Sequence, residues 1–81
     1  MNLKRIPAAA SSSTLIDAVM DSYVDWREES AAVELAYCRW RQAASHDFEP
    51  AFNAYLAALD REEQAANEYQ RLIERAETAH R

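Results

Sequence analysis

The sequence predicts an all-α fold, an antiparallel two-helix hairpin, from three observations. The 81 residues include no glycine and two prolines. Two long stretches repeat apolar residues at alternating spacings of three and four, the signature of helices packed along a seam. A single short polar segment around Pro50 separates them. Glycine supplies the positive-φ positions on which tight strand turns depend, so a many-turned sandwich or barrel is excluded. The length suits one small domain, and 49% hydrophobic with 28% charged residues is the composition of a chain that folds.

Residues 1–12 carry Lys4-Arg5, Pro7, three alanines and the first two of three serines without any period, which predicts a flexible N-terminal tail. The apolar run after Arg5 falls short of the roughly 7 to 15 residues of a signal-peptide core. The hairpin is expected over residues 13–81. Its first helix is expected at about 14–44, on a seam through Ile16, Val19, Tyr23, Trp26, Ser30, Val33, Tyr37, Trp40 and Ala44. Ser13 or Thr14 is available as a cap; Asp17, Asp21 and Asp25 lie towards the positive end of the dipole, and Arg39 and Arg41 at the negative end.

A turn is expected at 45–49, where Ser45 or Asp47 can cap the next helix and Pro50 is tolerated only in a first helical turn. The second helix is expected at about 50–79, with a seam through Phe52, Tyr55, Leu59, Glu62, Ala66, Tyr69, Ile73, Ala76 and His80, flanked by Leu56 and Leu72. A short connection forces the helices antiparallel. The hairpin core expected from this register is Val19, Tyr23, Trp26, Val33, Tyr37, Trp40, Phe52, Tyr55, Leu59, Tyr69 and Ile73. It layers Trp40 on Tyr55 and Trp26 on Tyr69, so that aromatics crowd both ends and the middle is small and polar.

Two helices touch along one line, so a lone hairpin leaves a flank of each large side chain in water. A second stripe on the first helix, Met20, Val24, Ala31, Leu35 and Cys38, is also out of reach of the hairpin's own partner helix. The stripe is the expected interface of a homodimer, two hairpins closing into a four-helix bundle; burial against a second protein is the competing partner.

Composition narrows the function classes. Without glycine there is no phosphate loop, dinucleotide fingerprint or nucleophile elbow. A formal charge of -5 disfavours nucleic acid and acidic membrane surfaces as partners. One cysteine forms no internal disulfide, and no stretch reaches the ~20 apolar residues of a membrane helix, which points to the cytoplasm. Eight arginines to one lysine, with abundant alanine, fit a bacterial source of high GC content.

Three features invite a chemical reading. Glu62 stands on a seam, where a carboxylate must be paired, protonated or solvated. It is expected to fix register by reaching Arg27, Arg61 or Ser30, as polar seam residues do. The alternative is a ligand in a di-metal carboxylate bundle, shared with Glu34, Glu63 or a symmetry mate. Glu77 and His80 have the Glu-x-x-His spacing that puts two ligands on one helical face, a weak metal candidate at a helix end. The aromatic seam is a further candidate as a small-ligand pocket. No catalytic constellation surrounds His46 or Cys38, and no cofactor is implied. The expected function is therefore a non-enzymatic structural or protein-interaction module.

Overall fold

The computed structural model describes residues 11–79, and these form two helices joined by a tight turn. Helix α1 spans Ser11–Gln42 and helix α2 spans Phe48–Ala79, each 32 residues long. A 3-10 turn at Ser45–Asp47 lies between them. They pack against each other as an antiparallel hairpin, and among the described residues no helix is long and apolar enough to cross a membrane.

The ends of the elements differ from expectation for physical reasons. Helix α1 already includes Ser11 and Ser12, assigned above to the tail; the rest of that tail, residues 1–10, lies outside the described residues, as does His80. Ser13 and Thr14 therefore lie inside the helix rather than at its N-cap position. Because the helix starts before Thr14, its first turn holds no acidic residue, and Asp17 sits where the dipole's influence has largely faded. Arg39 and Arg41 do occupy its last turn.

Helix α1 ends at Gln42 rather than Ala44. A helix commonly leaves through a left-handed residue, most often glycine, but none of the described residues has positive φ. Instead Ala44 is extended, with φ -71° and ψ 164°, and its carbonyl accepts the Asp47 amide at 2.8 Å. The 3-10 turn then runs directly into α2 at Phe48, two residues before the expected start. Pro50 falls at the third helical position, where its missing amide removes no intrahelical bond.

The two residues most withdrawn from water between the helices are small. Ala58 is 1% exposed and Ser22 6%, and no large side chain among the described residues is fully buried. On α1 the covered positions include Leu15, Val19, Ser22, Trp26, Glu29, Val33, Ala36, Trp40 and Ala43, an alternation of four and three, with Ala18, Ser30 and Ala32 half-buried beside them. Four of the expected core residues on α1, Val19, Trp26, Val33 and Trp40, belong to this series. Tyr23 and Tyr37 do not: at 41% and 39% exposure they flank the seam, and Ser22 and Ala36 take the inner positions one residue earlier. Backbones approach most closely over small side chains, and that displaces the large rings sideways. On α2, Phe52, Tyr55, Leu59, Tyr69 and Ile73 are half-buried beside the inner line of Ala58.

Candidate functional site

Displacing the rings to one side makes the two broad faces of the hairpin unlike each other. On one face the aromatic residues form two clusters that bridge the helices. Trp26 stacks on Tyr69, with ring centres 5.6 Å apart and planes 17° from parallel, and Tyr23 leans on both. Nearer the turn Trp40 stacks on Tyr55 at 5.3 Å and 18°, and Tyr37, Phe48 and Phe52 surround that pair. Both stacked layers are those the register predicts. Offset and edge-to-face pairs at these separations contribute about 0.5–1.5 kcal/mol each beyond area burial, so they fix the register as well as fill space.

Between the clusters lies Glu62. Its Oε2 accepts the indole N–H of Trp26 at 2.7 Å and the hydroxyl of Ser30 at 3.5 Å, both donated from the other helix. Ser30 is an expected partner and Arg27 and Arg61 are not used: Arg61 instead faces Glu29 at 3.5 Å on the opposite side of the hairpin. The other tryptophan has no such partner, for the Nε1 of Trp40 is buried without a hydrogen bond. Arg41 donates to the Tyr37 hydroxyl at 2.8 Å and lies over that ring, its guanidinium carbon 5.6 Å from the centre, which closes the outer edge of the turn-side cluster.

The opposite face is polar. Ser22, Asp25, Glu28, Glu29, Arg61, Gln64, Ala65 and Glu68 line a shallow depression there, crossed by the Glu29–Arg61 pair. The candidate interface stripe on α1, Met20, Val24, Ala31, Leu35 and Cys38, is exposed along the outer side of that helix and meets the aromatic face at Cys38.

The residues singled out for metal chemistry do not converge. Glu77 is exposed near the end of α2, remote in sequence from Glu62, and His80 lies outside the described residues. Among the described residues no group of three His, Cys, Asp or Glu side chains is placed to hold an ion. A small open groove lined by Val33, Glu34, Tyr37, Cys38 and Tyr55 is the nearest thing to a ligand pocket beside the aromatic rings. The Trp26–Glu62 contact is the feature that residue-by-residue reading missed, although a donor at Trp26 was foreseeable: an indole N–H on a packed face needs an acceptor. Set against protein-family models, curated proteins and solved structures, the chain matches none of them.

Proposed function

We propose that this chain is a non-enzymatic protein-interaction module, a helical hairpin that completes its core by self-association. One observation carries the reading. The hairpin is a single layer, 13 Å through its thinnest dimension, whereas stable domains are built from at least two packed layers around a shared core. Ala58 is the one apolar residue among those described that is fully withdrawn from water, while Ile16, Met20, Tyr23, Val24, Leu35, Tyr37, Phe48 and Leu56 are exposed. A surface of that kind marks association rather than solution. The cheapest second layer is another copy of the same chain, since a twofold pair of hairpins closes a four-helix bundle. A single cysteine and an arginine-rich, lysine-poor composition favour a bacterial cytoplasm as its setting.

Thermal unfolding at different protein concentrations tests this. When the folded state is a dimer and the unfolded state a monomer, raising the concentration stabilises the fold by mass action. A hundredfold increase in concentration is expected to raise the Tm by several degrees. A Tm independent of concentration overturns self-association.

A further inference from the structure

We infer that the surface on which the second copy sits is the aromatic face spanning both helices, and that the outer stripe of α1 stays in solvent. This rests on the reading of the chain as self-associating and goes further in naming the face. Two rows at seven-residue spacing define it: Ile16, Tyr23, Ser30 and Tyr37 on α1, and Phe52, Leu59, Ala66 and Ile73 on α2. They border the half-buried Trp26, Trp40, Tyr55 and Tyr69, whose stacking across the helices puts both rows on one side.

Charge points to a second copy as the occupant. The chain carries a formal charge of -5, so two copies repel unless they meet on a surface poor in acidic groups. The two rows and the rings between them contain one carboxylate, Glu62, which already receives two hydrogen bonds inside the hairpin. At the rim, Glu34 stands in the groove beside Tyr37 and Tyr55, and Arg41 lies over the Tyr37 ring. A face whose central charge is internally partnered and whose rim carries both signs demands no cationic partner and is compatible with itself. The opposite face, with Asp25, Glu28, Glu29 and Glu68 against Arg61, is not.

Area agrees. Two helices of 32 residues lying side by side offer a face roughly 45 Å long and 20 Å wide. That is on the order of 900 Å² per copy, the size of a standard stable interface. The stripe through Met20, Val24, Ala31, Leu35 and Cys38 lies on one helix alone, and the acidic Asp21, Glu28 and Glu34 border it.

Substitutions at exposed positions tell the two surfaces apart, because Leu35 lies on the stripe while Ile16 and Tyr37 lie on the aromatic face. The wild-type mass is measured by light scattering, and Leu35→Lys, Ile16→Lys and Tyr37→Lys are then weighed in the same way. The expected result is a wild-type dimer, a Leu35→Lys protein that keeps the dimer mass, and Ile16→Lys and Tyr37→Lys proteins whose mass halves. A dimer dissociated by Leu35→Lys and untouched by the two substitutions on the aromatic face overturns that face while leaving self-association standing. A monomeric wild type overturns both. If Tyr37→Lys does not fold, Ile16→Lys decides.

Discussion

The indole N–H of Trp26 on α1 is held by the carboxylate of Glu62 on α2 at 2.7 Å, a charge-assisted hydrogen bond in the middle of an otherwise aromatic face. It ties the helices at one register: a slip of one turn along α2 would carry Glu62 away from the indole and set it against a ring. The bond also removes the need for an arginine partner, which leaves Arg61 free to pair with Glu29 behind it.

Trp26→Phe and Glu62→Leu are each expected to cost about 1 kcal/mol from the hydrogen bond, at the low end for a bond to a charged group because the site is partly open. In the double variant the second change should cost little further, giving a coupling of roughly 1 kcal/mol in a double-mutant cycle read by urea unfolding. Additive single and double effects would show that the contact has no energetic role. Glu62→Gln keeps an acceptor oxygen and is expected to lie within ~0.5 kcal/mol of wild type.

Trp40→Phe offers an internal comparison. It removes the same amount of side chain as Trp26→Phe, but its Nε1 has no partner, so the loss of a buried unsatisfied donor offsets part of the lost packing. Trp40→Phe is expected to be the milder of the two by about 1 kcal/mol. The reverse order in denaturant midpoints would mean that Trp40 finds an acceptor in the assembled protein.

Ala58→Leu should destabilise by about 1–3 kcal/mol, because Ala58 is 1% exposed against α1 and extra methylenes there push the helices apart. Circular dichroism during urea titration reads the effect. A neutral result would show that the site yields to the larger side chain without strain.

Arg61→Ala, by contrast, breaks an ion pair whose arginine is more than half exposed, and its cost is expected to stay below ~0.5 kcal/mol and to shrink further at high salt. A loss well above 1 kcal/mol would assign the polar face a part in assembly.

Much of this architecture was legible in the residues. Alternating three-and-four spacing identified both helices, the absence of glycine excluded sheet turns, and the stacked pairs Trp40–Tyr55 and Trp26–Tyr69 came out of the register. Which residues fill the seam was legible except at Tyr23 and Tyr37. Tyr23 and Ser22, or Tyr37 and Ala36, satisfy the same period within one residue, and size alone favours the rings as core. The chain resolves the choice the other way because the gain from close backbone approach falls to small side chains. That choice then turns the rings outward onto one face, the consequence that matters for function. Glu62 stood out as a carboxylate on an apolar line, but its donor could be found only once the helices were placed side by side.

Sedimentation equilibrium of the wild-type protein tests self-association most directly. At micromolar concentration and physiological salt the expected mass is twice the 9.3 kDa of one chain, falling towards the single-chain value on dilution. A well-folded, fully helical species that holds at 9.3 kDa up to the highest attainable concentration would contradict it, for the single-layer hairpin would then be stable with its aromatic face in water.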